Sequence, residues 1–190
     1  MAGNIIFLNG ASSSGKSSIA KQLQVLLDEP YTIMSVDLFL SQIDSWTCVD
    51  ESELPQGTFR TRLRAFHHCL GAMSRAGLHQ IVDHLFEDPD WLEECAYLLR
   101  ELPVFLIGVH CSIPELERRE QARGDRPTGL AKRQAGKVHL HGVYDLEIDT
   151  TSTLPLECAE AIQAFLQQLL IDPAIGLLAE ILPEPDQWSP

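Results

Sequence analysis

The sequence predicts an α/β fold: a five-stranded parallel sheet covered by helices on both faces. Three observations carry that prediction. Short apolar runs alternate with segments of helical period, the pattern of a parallel sheet buried on both faces. The first apolar run, Ile5-Ile6-Phe7-Leu8-Asn9, leads directly into the glycine-flanked turn Gly-Ala-Ser-Ser-Ser-Gly-Lys-Ser at 10–17. The length of 190 residues suits one α/β domain with a full core and is too short for two comfortable ones.

Taken in order, the first strand is placed at 4–9 and the first helix at 16–28, where Ser17-Ser18-Ile19-Ala20-Lys21-Gln22-Leu23 has helical period. Tyr31-Thr32-Ile33-Met34-Ser35-Val36 gives a second strand at 31–36, followed by a helix at 37–44. The stretch 45–58, with Trp46, Pro55 and Gly57, has no clean period and is expected to be a loop. A helix at 59–76, a strand at 79–83 and a helix at 90–101 come next, then a strand at 103–109. Ser112-Ile113-Pro114-Glu115 marks the start of a helix over 114–123: Ser112 as cap, Pro114 in the first turn, Glu115 completing a capping box. Gly124 is its stop. The last strand is placed at 143–149 and the last helix at 155–170. One domain is expected over 1–170, with 171–190, which holds Pro173, Pro183, Pro185 and Pro190, as its C-terminal extension.

The totals exclude several classes. A net charge of −13 opposes binding to nucleic acid, which draws on Lys and Arg neutralising phosphates. Cys48, Cys69, Cys95, Cys111 and Cys158 are odd in number and include no C-x-x-C, which argues against a disulfide framework and a zinc site. No run approaches the ~20 apolar residues that span a bilayer, and the N-terminus has no basic leader region. A soluble, cytoplasmic protein is expected.

The chemistry is expected beyond the carboxyl ends of the strands, where open α/β sheets bind ligands. Residues 10–17 match G-x-x-x-x-G-K-[ST], the phosphate-binding loop whose backbone N–H groups converge on phosphate oxygens at a helix N-terminus. Gly10, Ala11, Ser12, Ser13, Ser14, Gly15, Lys16, Ser17 and Ser18 are therefore the candidate nucleotide-binding set. Lys16 would reach the β- and γ-phosphates and Ser17 would ligate Mg²⁺, which names ATP and Mg²⁺ as the cosubstrate and metal.

Asp37, some twenty residues past Lys16, is a candidate general base that accepts or orients the proton of an acceptor hydroxyl; its alternative is a helix N-cap. Asp83 follows Ile81-Val82 and is a candidate carboxylate for Mg²⁺ or its water shell, against a strand-terminal Asp in a turn. Seven of the fourteen Lys and Arg residues fall within 118–137. A lid is expected there, with Arg123 and Arg126 closing on the transferring phosphoryl group. The alternative is a solvated helix whose arginines pair with Glu115, Glu117 and Glu120, and for Arg118 that alternative is preferred. Thr150 and Thr151 follow the last strand, where they either cap a helix or line the adenine pocket. The seven histidines show no metal-ligand spacing and are read as structural or solvent-facing.

Taken together, these stations resemble the chloramphenicol phosphotransferase family of small P-loop kinases over most of residues 4–168. The resemblance runs through Ile6–Ser17, Ser35-Val36-Asp37, Met73-Ser74-Arg75-Ala76-Gly77 and Val109-His110-Cys111. Its most specific parts are Ala122-Arg123-Gly124-Asp125-Arg126 and Tyr144-Asp145-Leu146-Glu147-Ile148-Asp149-Thr150-Thr151. It implies a kinase fold of the adenylate and shikimate type with a mobile arginine-bearing lid. It also implies ATP-dependent transfer of the γ-phosphoryl group to a hydroxyl of a small acceptor, nominally chloramphenicol, with Asp37 as the base. The chain departs from the family at Asp83-His84, where two adjacent aspartates are usual, and over 45–66, which should help shape the acceptor pocket. Two other readings fit the same stations: a nucleoside, shikimate or gluconate-like kinase, and a nucleotide-binding regulatory module.

Overall fold

The computed structural model describes residues 1–47, 57–124 and 128–169. Five strands, β1 (Ile5–Asn9), β2 (Tyr31–Ser35), β3 (His79–His84), β4 (Val104–His110) and β5 (Leu146–Asp149), form one parallel sheet in the order β2-β3-β1-β4-β5. The helices are α1 (Lys16–Leu26), α2 (Val36–Thr47), α3 (Thr58–Arg75), α4 (Pro89–Leu99), α5 (Ile113–Arg123), α6 (Leu130–Ala135) and α7 (Pro155–Leu169). No helix among the described residues is long and apolar enough to cross a membrane.

The central strand shows why the sheet is covered on both sides. All five residues of β1 are buried. Ile6 and Leu8 pack with Ile19 and Leu23 of α1 and Ile162 of α7, while Ile5 and Phe7 face Phe66 and Leu70 of α3 and Leu99 of α4. Period-2 alternation therefore feeds two separate apolar layers. The same alternation splits the end of β3. Asp83, in register with Leu8, turns toward α1, whereas His84, in register with Asn9, enters the α3 layer beside Phe66 and Phe86.

Each strand lies where the sequence places it, within three residues. The largest shift is at β5, which begins at Leu146 instead of 143. Tyr144 turns inward there: its ring lies 3.0 Å from a Cβ built on Gly108, and its hydroxyl receives a 2.8 Å hydrogen bond from Asn9 Nδ2. The Asp145 carboxylate accepts the Leu106 N–H at 2.6 Å, standing in for a strand carbonyl.

Three local expectations change. α2 starts at Val36 and continues to Thr47, into the stretch expected as a loop, because Val36 and Phe39 pack on the α3 layer at helical spacing. The rest of that stretch up to Pro55 and Gln56 lies outside the described residues, as does the 171–190 tail. Ser112 occupies the N-cap position of α5 but makes no side-chain cap bond, and the capping box does not form: the Ser112 N–H goes to Thr151 Oγ1 and the Glu115 carboxylate to arginines. Gly124 does end α5, at φ 67°. A short helix, α6, lies inside the basic stretch where only a lid was expected.

Candidate functional site

A cleft of about 710 Å³ opens at the carboxyl end of the sheet. Its phosphate side is the loop 10–17, held between β1 and α1. Gly10 is required there because a Cβ at that position would lie 2.4 Å from the Val109 carbonyl oxygen and 2.8 Å from Ser14 Oγ. Gly15 at φ 99° and Ser13 at φ 64° bend the loop back on itself. Helix geometry then directs the first N–H groups of α1 out of its N-terminus, a favourable place for an anion. Ser13 lines the cleft, and its buried hydroxyl has no hydrogen-bond partner among the described residues, a donor that a phosphate oxygen would satisfy.

Lys16 folds over the loop: its Nζ donates to the Gly10 carbonyl at 2.7 Å and the Ala11 carbonyl at 2.9 Å, and stands 3.7 Å from Asp83 Oδ1. Ser17 Oγ donates to Asp83 Oδ2 at 2.5 Å. Lysine, serine and aspartate thus meet from α1 and β3. Among the described residues no cluster of three His, Cys, Asp or Glu could hold a metal. A hydroxyl with one carboxylate fits a Mg²⁺ ion that takes its other ligands from phosphate and water, the usual mode of that hard cation.

Asp37 lines the same cleft with Ser35, Leu38 and Ser41, and is exposed in the first turn of α2. Since α2 begins one residue earlier, Asp37 is a first-turn residue and not the N-cap.

The basic stretch divides into distinct roles. Arg123 lines the cleft from the end of α5, while Arg126 lies outside the described residues. Arg118 is exposed, and pairs with Glu115 through two 2.7 Å hydrogen bonds. Arg119 is the residue that sequence reasoning left out of the site. It lines the cleft, donates to the Thr150 carbonyl at 2.6 Å, and reaches Thr150 Oγ1 at 3.3 Å. Together Arg118 and Arg119 hold the Glu115 carboxyl down at about 2 through their hydrogen bonds. The i,i+4 spacing of Arg119 and Arg123 marks a shared helix face, but nothing in the sequence shows that this face meets the end of β5.

Two further expectations are corrected. Glu120 pairs with no arginine among the described residues; it is buried and accepts the Gly129 and Ala131 N–H groups at 2.6 and 2.8 Å, capping α6 from α5. Thr150 is buried and does not line the cleft, since its hydroxyl is committed to the Ser14 carbonyl at 2.7 Å and holds the loop from behind. Thr151 does not line the cleft either; its Oγ1 accepts the Ser112 N–H at 2.9 Å.

Five of the seven histidines sit in two aromatic groups, His67 with His84, and His110 with His139 and His141, while His79 packs on Tyr31 and His68 is exposed. His67 and His84 meet Nε2 to Nε2 at 3.0 Å within the α3 layer. His84 Nδ1 accepts the Leu85 N–H at 2.7 Å, so His84 carries its proton on Nε2 and donates it to His67. Burial lowers both, His67 to about 4, with the charge of His68 adding to the effect. His110 stacks on His139 at 3.9 Å, and His139 Nδ1 lies 2.6 Å from the Tyr144 hydroxyl, which burial pushes up.

This geometry has recognisable company. The family model described as chloramphenicol phosphotransferase-like protein matches residues 3–167. Two Mycobacterium tuberculosis proteins, from strains CDC 1551 and H37Rv and provisionally named O-phosphotransferases, are 30% identical over 187 residues, covering 85% of this chain and 83% of theirs. Among solved structures, the M. tuberculosis APS kinase in complex with AMPPNP and APS superposes with a TM-score of 0.68 at 17% identity, over 87% of this chain and 98% of that one. Shikimate kinase from Acinetobacter baumannii in complex with shikimate gives 0.62 at 14%, over 90% and 95%. At those identities the structures speak for the fold, a P-loop kinase sheet. The family match spans nearly all the described chain, from before β1 into α7, and takes in the loop, Asp37, Asp83 and the arginine face of α5. The chain belongs to the chloramphenicol phosphotransferase-like family.

Proposed function

We propose that the protein is an ATP- and Mg²⁺-dependent O-phosphotransferase that moves the γ-phosphoryl group to a hydroxyl of a small molecule, with chloramphenicol as the nominal acceptor. The observation that carries this reading is the convergence of Lys16, Ser17 and Asp83 in a cleft that Asp37 also lines. A switch that only binds nucleotide has no need of a second carboxylate in the cleft beside its phosphate loop.

In this reading Lys16 neutralises phosphate charge, and Ser17 with Asp83 holds Mg²⁺, which when bound draws charge off the phosphate oxygens. Asp37 accepts the proton of the acceptor hydroxyl as its oxygen bonds to the γ-phosphorus. The bond from that phosphorus to the bridging oxygen breaks, and ADP leaves. Arg123 and Arg126 stabilise charge on the transferring group.

The test is ADP release with an acceptor panel of chloramphenicol, nucleosides, shikimate and gluconate, on wild type beside Lys16→Ala. Acceptor-dependent ADP release that Lys16→Ala abolishes supports the reading. Release with a metabolite but not chloramphenicol moves the acceptor and keeps the reaction. Nucleotide binding without turnover on any acceptor favours the regulatory module.

A further inference from the structure

The α5–α6 pair is built onto the phosphate-binding loop. Ala11 of the loop is buried in an apolar cluster with Leu116 of α5, Ala131 of α6 and Val138. Glu120 of α5, 3% exposed, uses its carboxylate to fix the start of α6. One helical turn later Gln134, 6% exposed, reaches back, and its Oε1 accepts the Ser12 N–H at 2.9 Å. On the far side of the loop the Ser14 carbonyl is held by the Thr150 hydroxyl at 2.7 Å. Ser13, between these two anchors, stands at φ 64°, a strained conformation for a residue with a Cβ that persists only when its surroundings hold it.

We propose that Gln134 is a positioning residue for the phosphate-binding loop, with its side-chain carbonyl holding Ser12 in the nucleotide-ready shape and Glu120 placing Gln134 to do so. The inference rests on the reading of the loop as the nucleotide site. It replaces a freely swinging lid with a brace. A neutral amide oxygen suits the position, because it satisfies the Ser12 N–H without setting a negative charge beside the phosphates that would bind there. A carboxylate would satisfy the same N–H and repel the ligand.

The experiment uses the full chain, with calorimetric titration of Mg·AMPPNP and NMR hydrogen exchange at the Ser12 amide. In wild type the Ser12 amide is expected to be protected without nucleotide and to stay protected with it. Gln134→Met, of similar volume and without the acceptor, should lose that protection and bind AMPPNP about 3- to 10-fold more weakly, the scale of one neutral hydrogen bond. Gln134→Glu should keep the protection yet bind more weakly, and the deficit should shrink as salt is raised. Glu120→Gln, which turns one of two acceptor positions into a donor, should shift Ser12 exchange and affinity in the same direction as Gln134→Met. It serves as the test should Gln134→Met fail to fold. The proposal is overturned if the wild-type Ser12 amide exchanges freely. It is equally overturned if Gln134→Met binds AMPPNP as tightly as wild type, or more tightly, the latter making Gln134 a competitor of the phosphates. Absence of AMPPNP binding by wild type would remove the nucleotide-site reading and this inference with it, whereas binding without acceptor turnover leaves the inference standing.

Discussion

Ser17 and Asp83 come from different elements, sixty-six positions apart in sequence, and share a 2.5 Å hydrogen bond. A hydroxyl proton occupies the line along which a cation would be shared between the two oxygens, so a divalent ion must compete with that contact. Asp83→Asn keeps the shape and an oxygen toward Ser17 but drops the charge. The expected outcome is an apparent Mg²⁺ affinity lowered about 10- to 100-fold, the scale seen when a group supporting a metal is altered. Turnover titrated against Mg²⁺ checks it, and an unmoved midpoint would remove Asp83 from the metal's surroundings.

Asp37→Asn separates transfer from binding. Nucleotide affinity should stay near wild type, because the loop and Lys16 are untouched. Acceptor phosphorylation should fall about 10²- to 10⁴-fold, the usual contribution of a positioned general base. Asn tolerates the start of a helix well, so a lost first turn would not explain the loss. Titration of nucleotide beside ADP release on both proteins decides it.

Arg118 and Arg119 are neighbours in sequence with opposite expectations. Arg118→Ala should leave stability close to wild type, since the Arg118 side chain is itself largely exposed and Glu115 keeps its bond to Arg119. Arg119→Ala removes the charged 2.6 Å bond to the Thr150 carbonyl and should cost about 1.5–3 kcal/mol in urea unfolding. Equal effects of the two substitutions would contradict the distinction.

Stability should depend on pH through the histidine pair. Burial places His67 at about 4 when folded, against 6.5 when exposed. Between those values the unfolded chain binds a proton that the folded chain does not. Stability therefore rises with pH across that window, is fully present above about 6.5, and is lost on acidification by up to about 3 kcal/mol for His67. His84, lowered in the same direction, adds to the loss. Urea unfolding at pH 7 and pH 5 should show a smaller difference in the double variant His67→Phe/His84→Phe than in wild type.

How much of this was legible varies residue by residue. The loop at 10–17 was plain, because a glycine at 10 permits the close approach and one at 15 the φ of 99°, and the lysine and serine follow at fixed offsets. Asp83 was legible through its place after an apolar run. The strand order was not, since periodicity identifies strands without saying which pair. Arg119, Glu120 and Gln134 were missed as site-shaping residues for a related reason: each acts on a partner from 9 to 122 positions away. A glutamate in a basic helix reads as an ion-pair partner until the helix it caps is placed beside it. Thr150 was located correctly at the end of the last strand, but whether its hydroxyl faced a ligand or the back of the loop depended on packing that local pattern does not encode.

The divergence of Asp83 and His84 bears on how such a protein can change over generations. Consecutive strand residues answer to different layers, so position 84 can be exchanged for another side chain together with its contact on α3 while the carboxylate one residue earlier stays fixed to α1. The side chain that packs on the α3 layer and the carboxylate that meets Ser17 are adjacent in sequence and mechanically insulated. A lineage can therefore vary 84 and 67 as a pair without disturbing the contact between Asp83 and Ser17.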